Sequence, residues 1–311
     1  MNNQWLYNIH NITEMTAISC YEWVGKGDNF AADEAAVDIM RQELNKLPMS
    51  GKIAIGEGER DQAPMLYIGE KLGKGGESIE IAVDPLEGTT TCARAEFGAM
   101  SVIALSSNGS FLSAPDLYMQ KIAISAKYPN ELIDINKSVK TNILNLAQYK
   151  NCDPSNIVVM ILDRDRHHDI INEARLLGVT VKLIRDGDIS AVIAAVSYNS
   201  DVDMYLGTGG APEGVLSAAA LKCIGGKMQG KLLFDNREQL QRAKDMGIND
   251  INKVYEVKDL VKKDVIFCAT GITTGYLVDG IKKYHNKFMT ETLLLTSANK
   301  KSYKIKTELL A

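Results

Sequence analysis

The chain has no long apolar run and no strong excess of charge of either sign, and both absences exclude broad classes of protein. No stretch of its 311 residues approaches the roughly 18 consecutive apolar residues that a membrane-spanning helix needs. There are 35 basic and 39 acidic residues, which gives a formal net charge of −4. This balance offers no basic surface for nucleic acid, so neither a membrane nor a nucleic acid is expected as a partner.

Cysteine is also scarce, and its pattern excludes the usual cysteine-based sites. The five cysteines are scattered, odd in number and without a CxxC pair. Such a set favours reduced thiols in a cytosolic protein over disulfides or a zinc site. The first residues include Glu14 and Glu22 and have no apolar core of the signal-peptide type. We therefore expect a cytoplasmic location.

Hydrophobic periodicity predicts an α+β arrangement with a mixed or antiparallel sheet in the first half of the chain. Apolar residues at helical spacing predict helices over 10–24 and 31–47. Short apolar runs predict strands over 53–55, 79–84, 101–106 and 121–126. A further helix is predicted after the glycine turn at 56–58, with Pro64 in its first turn.

The second half changes to an alternation of strands and helices, which is typical of a parallel α/β unit. Strands are predicted over 156–162, 179–184 and 202–207, and helices over 168–177, 189–196 and 211–224. A soft boundary near residue 150 therefore divides the chain into residues 1–150 and residues 151–311. Apolar residues make up 45% of the sequence, enough for a large core, so we expect the two halves to pack tightly.

Acidic residues lie where predicted strands end and where predicted helices begin. Asp84 and Glu87 stand three apart around a turn that ends a buried strand, and Glu57 ends another. Carboxylate oxygens are the ligands that Mg²⁺ and Mn²⁺ prefer. Asp33 and Glu213 begin helices, where an acid can also simply favour the helix dipole. An Asp-Pro turn is the alternative reading of Asp84, and a solvated turn that of Glu57.

Arginines and glycines at other strand ends point to an anion. Arg164 and Arg166 alternate, so in an extended chain they would share a face and could hold a phosphate. An exposed, charged loop is the alternative. The segment "GTGGAPEG" precedes a helix, as in a cradle of backbone N–H groups for an anion. It does not match GxGxxG, because position 212 is proline, so a dinucleotide cofactor is disfavoured.

Seven segments together resemble one known family. They are "GEGERDQAPMLYIGE", "AVDPLEGTT", "LSAPDLYMQK", "DGD", "GTGGAPEGVLSAAAL", "ATGIT" and "TETLLL". They are similar to the class II, bacterial-type fructose-1,6-bisphosphatases of the lithium-sensitive, metal-dependent sugar phosphatase superfamily, from about Asp33 to Leu295. The resemblance implies the layered α/β/α/β/α sugar-phosphatase fold, with a metal-binding first half and a substrate-binding second half. It also implies a homodimer or homotetramer that works in gluconeogenesis.

The resemblance assigns roles to individual residues. Metal ligands for Mn²⁺ or Mg²⁺ are implied at Asp33, Glu57, Asp84, Glu87 and Glu213. Contacts to the sugar phosphate are implied at Glu87, Gly88, Thr89, Tyr118, Arg164, Asp165, Arg166, Asp186, Gly187, Asp188 and Gly210. Our mechanistic hypothesis is that Thr89 orients the attacking water and that Asp61 accepts a proton. The implied reaction converts fructose-1,6-bisphosphate to fructose 6-phosphate and phosphate, and some members also accept sedoheptulose-1,7-bisphosphate.

Two positions depart from the family pattern. Asn29 stands where related sequences often carry a lysine, four residues before the first metal ligand. Asp165 adds an acid inside the arginine segment "DRDR". Two alternative functions therefore stay open. One is a monoesterase for inositol phosphate, and the other is a sugar-phosphate sensor that kept the pocket and lost the chemistry.

Overall fold

The computed structural model describes residues 3–58, 65–197 and 200–310. The chain divides into two compact units, Met1–Ser113 with Val261–Ala311, and Ala114–Leu260. In the described part of the chain, no helix is long and apolar enough to cross a membrane. All five cysteines are free thiols, and Cys152 is the least buried of them.

The units separate at places other than the predicted boundary near residue 150. Strand Tyr118–Ile124 pairs with Met204–Gly210, far along the chain in the second unit. Strand Val265–Gly271 returns to pair with Met100–Ser107 in the first unit. Both sheets are completed by strands that are distant in sequence. A boundary drawn from the local alternation of helices and strands therefore assigns these two strands to the wrong unit.

The described residues form nine α-helices, three short 3₁₀ helices and fourteen strands. The helices are α1 Asn3–Tyr21, α2 Asn29–Asn45, α3 Thr89–Ala93, α4 Val139–Lys150, α5 His168–Leu176, α6 Asp188–Val196, α7 Ala211–Ile224, α8 Arg237–Asp245 and α9 Val257–Leu260. The strands are β1 Met49–Ile55, β2 Lys71–Leu72, β3 Glu77–Glu87, β4 Met100–Ser107, β5 Tyr118–Ile124, β6 Val158–Leu162, β7 Thr180–Ile184, β8 Met204–Gly210, β9 Lys227–Leu232, β10 Tyr255–Glu256, β11 Val265–Gly271, β12 Lys282–Tyr284, β13 Lys287–Thr296 and β14 Lys301–Leu310. The 3₁₀ helices are Asn130–Leu132, Pro154–Asn156 and Asp165–His167.

The first unit is an eight-stranded mixed sheet with helices α1 and α2 against it. The strand order is β12-β13-β11-β4-β3-β1-β2, and β14 pairs with β13. β1 runs parallel to β3, and the other pairs are antiparallel. Ile9 of α1 and Met40 of α2 share a core cluster with Ile81 and Ile103 of the sheet. Each such fully buried side chain contributes about 1.5–3 kcal/mol of hydrophobic free energy.

Helix α2 shows how local sequence sets an element that carries a site residue. Asp28 is the N-cap, and its side chain accepts a hydrogen bond from the Ala31 N–H at 3.0 Å. A cap of this kind stabilises a helix by about 1 kcal/mol. The buried residues Ala36, Met40 and Leu44 recur at intervals of four and face the core. The helix predicted over 31–47 is thus confirmed, although it begins at Asn29, directly after the cap.

The segment after β1 differs from the prediction. Pro64, placed in the first turn of a predicted helix, lies outside the described residues. The residues at 65–70 are turns and not a helix. Leu66 and Gly69 have φ values of 53° and 94°, which an α-helix cannot accommodate. Hydrogen bonds from Glu57 N to Leu66 O and from Ile68 N to Gly58 O fold this segment back on the end of β1.

The second unit is a six-stranded sheet with helices on both faces. The strand order is β10-β9-β5-β8-β6-β7, and β6 runs parallel to both β7 and β8, as predicted for this region. Ile122 of β5 packs in one cluster with residues of α4 and α5. The next side chain back, Lys121, points to the other face, where its Cδ lies near Gly214 of α7. Taken unit by unit, these layers are those of the predicted sugar-phosphatase fold.

Candidate active site

In the first unit, a bulge in β3 positions the central acidic pair. The strand predicted to end at residue 84 continues to Glu87, and its register against β4 shifts between Asp84 and Glu87. An extra residue in one strand bends it and changes the direction of its side chains. Asp84 is half-buried and Glu87 is buried. The bulge therefore places two carboxylates at the end of β3, just ahead of α3.

Thr89 begins helix α3 directly after this bulge. Gly88 is the N-cap residue with a φ of 84°, a left-handed conformation that favours glycine. The hydroxyl of Thr89 donates to the Leu86 carbonyl at 3.3 Å. Thr91 is buried, whereas Thr89 and Thr90 are half-buried. Of the three threonines, Thr89 is therefore the one held beside the bulge that carries the acids.

Asp33 does not start helix α2, so the reading of Asp33 as a helix-start acid is wrong. Asp28 caps the helix, which begins at Asn29, and no acid lies in its first turn. The helix dipole therefore does not explain Asp33. Burial raises the pKa of the half-buried Asp33 carboxyl. Glu57 lies two residues beyond β1 and is also half-buried.

Asn29, at the position of the family lysine, links helix α2 to helix α3. Its side-chain amide donates to the Thr90 hydroxyl at 3.4 Å. The link joins the start of the Asp33 helix to the residue after Thr89. Lys26, a lysine three residues before Asn29, is exposed.

The acids of the first unit are not assembled into a closed metal cage. Across residues 3–58, 65–197 and 200–310, no group of three or more His, Cys, Asp or Glu side chains is arranged to hold a metal ion. Asp61, the predicted proton acceptor, lies outside the described residues. The metal ligands and Asp61 therefore stay predictions.

In the second unit, Arg166 is held at the end of the sheet. Its guanidinium carbon lies 4.8 Å from the centre of the Tyr118 ring, in a cation–π contact. Its Nε and Nη2 atoms donate to the Thr208 carbonyl at 2.9 and 2.8 Å. Tyr118 is 46% exposed, so this face of the pair is open to solvent. The arrangement presents a preoriented cation to an incoming anion.

Arg164 and Arg166 do not share a face, contrary to the prediction from an extended chain. Asp165 begins a 3₁₀ turn, Asp165–His167, which rotates the two arginines apart. Arg164 instead lies 3.6 Å from Asp186, from its Nη2 to the carboxylate Oδ1. Burial raises the pKa of Asp186, and the charge of Arg164 opposes that rise. Asp165 is exposed at the start of the turn.

His167 fastens the arginine turn to strand β8. Its Nε2 accepts from the Thr208 N–H at 2.8 Å, so its Nδ1 carries the proton and donates to the Leu162 carbonyl at 2.7 Å. Burial lowers the pKa of the ring, which favours this neutral form. His167 thus binds the N–H of Thr208, and Arg166 binds its carbonyl. His167 is buried, so it supports the arginine turn from inside the unit.

Asp188 lies in a buried network that sequence reasoning missed. The Lys121 ammonium donates to Oδ2 of Asp188, and the Tyr205 hydroxyl donates to Oδ1. Lys121 also donates to the Gly210 carbonyl at 2.8 Å. Burial and the neighbouring carboxylate raise the pKa of Tyr205 well above its usual value, so it stays a hydrogen-bond donor. The three side chains are almost completely shielded from solvent.

Glu213 stands next to this network in the first turn of α7. Its Oε2 atom is shielded from solvent and has no hydrogen-bond partner among the described residues. Burial raises the pKa of this carboxyl, and the charge of Lys121 opposes that rise. A Cβ on Gly210 would come within 1.9 Å of Oε2, so a side chain there would displace the Glu213 carboxylate. A buried carboxylate oxygen without a partner is costly, and it marks a place for a cation.

Two of the missed residues left a weak signal in the sequence. Lys121 is the one charge within "YMQKIAI", where an isolated lysine reads as the solvent face of a strand. Tyr205 sits within "VDMYLG", where an aromatic residue reads as core. Their meeting with Asp188 depends on pairing between β5 and β8, which the local pattern does not encode.

Among solved structures, the chain resembles inositol monophosphatase from Anabaena, with a TM-score of 0.32 and 14% identity over 62% of this chain and 71% of that chain. It also resembles extragenic suppressor protein suhB from Bartonella henselae, with a TM-score of 0.35 and 13% identity over 63% of this chain and 74% of that chain.

The sequence comparisons cover almost the whole chain. A relative from Trichodesmium erythraeum, D-fructose 1,6-bisphosphatase class 2/sedoheptulose 1,7-bisphosphatase, is 40% identical over 96% of this chain and 94% of its own. A protein of the same name from Synechocystis is 40% identical over 93% of this chain and 91% of its own. Residues 3–309 match the family described as bacterial fructose-1,6-bisphosphatase, glpX-encoded. Divalent-metal dependence is typical of this family. The chain therefore belongs to the glpX-type bacterial fructose-1,6-bisphosphatases, and its activity is that of a fructose-1,6-bisphosphatase.

Proposed function

We propose that the protein removes the 1-phosphate of fructose-1,6-bisphosphate with Mn²⁺ or Mg²⁺, in the cytoplasm, and releases fructose 6-phosphate. One observation carries the proposal. The second unit holds the exposed guanidinium of Arg166 and the buried Oε2 of Glu213, which has no hydrogen-bond partner in the described part of the chain. A substrate with a phosphate at each end uses both. The remote 6-phosphate binds Arg166, and the reacting phosphate meets the cation that Glu213 attracts.

The residues fit a hard divalent cation. All five proposed ligands are carboxylates, and oxygen ligands suit Mg²⁺ and Mn²⁺. They are Asp33, Glu57, Asp84, Glu87 and Glu213. Oε2 of Glu213, which no described residue hydrogen-bonds, supplies an independent reason for a cation there. When bound, divalent ions neutralise phosphate charge, polarise phosphorus and lower the pKa of water.

The chain's own residues align the reactants and move a proton. The Thr89 hydroxyl exchanges its bond to Leu86 for one to the attacking water, which it orients toward phosphorus. Asp61 accepts the proton of that water. The bond from phosphorus to the C1 oxygen of the sugar breaks as the water oxygen bonds to phosphorus, and the C1 oxygen takes a proton from solvent to become a hydroxyl. Asp186 accepts a hydrogen bond from a sugar hydroxyl, and the nearby charge of Arg164 favours the ionised form of its carboxyl.

Gly88, Gly187 and Gly210 have no side chains, so we expect them to contact the substrate through their backbone amides. Tyr118 presents its ring beside Arg166, at the remote phosphate. Binding energy from that remote end aligns the reacting end, so it serves turnover as well as affinity.

Phosphate release from three substrates tests this function. We expect release from fructose-1,6-bisphosphate with Mn²⁺ or Mg²⁺, none with EDTA, and little from inositol-1-phosphate. Sedoheptulose-1,7-bisphosphate is the second candidate substrate, favoured by the names of the cyanobacterial relatives. Release from the inositol ester alone would instead support the monoesterase reading, and no release from any substrate would support the sensor.

Replacing Arg166 with alanine should raise KM by about tenfold or more while kcat falls less. The guanidinium makes charge-assisted contacts to the remote phosphate, and their loss weakens binding by a few kcal/mol at most. Steady-state kinetics with fructose-1,6-bisphosphate measure both constants. Arg175, exposed at the end of α5, is the matched control, and Arg175→Ala should leave KM unchanged. An unchanged KM in Arg166→Ala would remove Arg166 from the substrate site.

Assembly into a homodimer or homotetramer is part of the same proposal. Sedimentation of the purified protein distinguishes these states from a monomer.

A further inference from the structure

The strongest feature outside the assigned roles is the way Asp188 is occupied. Both of its carboxylate oxygens already accept hydrogen bonds, one from Lys121 and one from Tyr205. Asp188 is 6% exposed, and a side chain on Gly209 would come within 2.3 Å of its Oδ2. The Lys121 ammonium and the Tyr205 hydroxyl use two of the roughly four acceptor sites that a carboxylate offers. Asp188 therefore has a role in this network as well as its predicted contact with the substrate.

The charges around Asp188 do not balance. One ammonium, Lys121, faces two buried carboxylates, Asp188 and Glu213. Lys121 is bonded to Asp188 and also to the carbonyl of Gly210, the residue against which the Glu213 carboxylate lies. Together these three side chains carry one excess negative charge, and Oε2 of Glu213 has no hydrogen-bond partner among the residues that the structure describes. The division of Lys121 between its two acidic neighbours therefore decides whether Glu213 is open to a cation.

Resting on the metal site of the proposed function, we infer that Asp188 is a positioning residue that engages the buried ammonium of Lys121 and thereby leaves Glu213 open to the divalent cation. Tyr205 holds the second oxygen of Asp188 and fixes its orientation. The Gly210 carbonyl takes another proton of the ammonium, so Lys121 is tied to the turn that leads into α7. Asp188 thus controls cation binding without touching the cation.

Mn²⁺ binding to the full chain, followed by electron paramagnetic resonance of free Mn²⁺, tests this inference without turnover. Asp188→Asn frees the ammonium to pair with Glu213, so the Kd of the Glu213 site should rise by about tenfold or more. Adding Lys121→Met removes the competing cation, and the double variant should return to within about threefold of the parent. Glu213→Gln identifies which binding event belongs to Glu213.

The chain offers a matched control in the same unit. Asp203 is also buried and accepts from a lysine and a tyrosine, Lys150 at 2.5 Å and Tyr128 at 3.3 Å. It lies just before β8, whereas Asp188 meets the other end of that strand. Asp203→Asn removes an equivalent network away from Glu213, so it should leave Mn²⁺ affinity unchanged. A general loss of folding would weaken binding in both aspartate variants.

Lys121→Met alone provides a second test if Asp188→Asn does not fold. Losing a positive charge beside Glu213 should leave Mn²⁺ binding at least as tight as in the parent. Weaker binding by the folded Lys121→Met protein would overturn the inference. So would parental affinity in Asp188→Asn, or equal weakening in Asp188→Asn and the double variant. If Glu213→Gln binds Mn²⁺ like the parent, the metal site of the proposed function fails instead.

Discussion

Replacing Thr89 with alanine should lower kcat by about 100-fold or more and leave KM nearly unchanged. A positioned group that takes part in proton transfer contributes on the order of 10²–10⁴ in rate. In the proposed site, Arg166 and the bound cation hold the two phosphates of the substrate, so binding should survive. Steady-state kinetics with fructose-1,6-bisphosphate measure both constants. Thr89→Ser keeps a hydroxyl at the same position and should stay active.

Thr90 supplies the control for this prediction, because it is the next residue of the same short helix. It accepts a hydrogen bond from Asn29, so its loss tests the α2–α3 link without touching the attacking water. Thr90→Ala should keep kcat within a few-fold of the parent. The structural bond from Thr89 to Leu86 contributes only about 1 kcal/mol to stability. Similar kcat in Thr89→Ala and the parent would remove Thr89 from the mechanism.

Glu213→Gln should lower kcat by about 100-fold or more at any Mn²⁺ concentration at which the parent is active. Substitutions of residues that merely support a metal ligand cost about 10–100-fold, and a direct ligand should cost at least as much. The variant should also be no less stable without metal than the parent. It removes a buried carboxylate oxygen that has no hydrogen-bond partner among the described residues, and such a group is costly to bury.

The alternative for Glu213 is an acid that only favours the dipole of α7, and Glu238 tests it. Glu238 occupies the first turn of α8 in the same unit and is exposed. Glu238→Gln should cost only the few tenths of a kcal/mol to about 1 kcal/mol of such an interaction, with parental activity. Thermal unfolding and phosphate release on both variants separate the readings. Parental kcat in Glu213→Gln with reduced stability would make Glu213 a helix-start acid.

Much of the fold could be predicted because its elements follow strong local patterns. The stripe that includes Ala36, Met40 and Leu44 predicted α2, and apolar runs predicted β3 and β6 within a few residues. The division into units could not be predicted in this way. It depends on β5 and β11 each pairing with strands that are distant in sequence. Local periodicity does not identify which strands pair.

The candidate site shows the same limit on a smaller scale. The sequence indicated Arg166 and Glu213 from their places at strand and helix ends, and the structure shows what each one contacts. It misjudged the relation of Arg164 to Arg166, because a single 3₁₀ turn separates residues that an extended chain would align. It also missed Lys121, whose burial depends on the opposite strand.

The identity of the product shows which phosphate of the substrate reacts. Fructose-1,6-bisphosphate is incubated with the protein and Mg²⁺, and the remaining sugar phosphate is identified by ³¹P nuclear magnetic resonance. We expect fructose 6-phosphate as the only sugar product, because the 6-phosphate is held at Arg166 while the 1-phosphate reacts. Fructose 1-phosphate, or a mixture of the two monophosphates, would contradict this assignment.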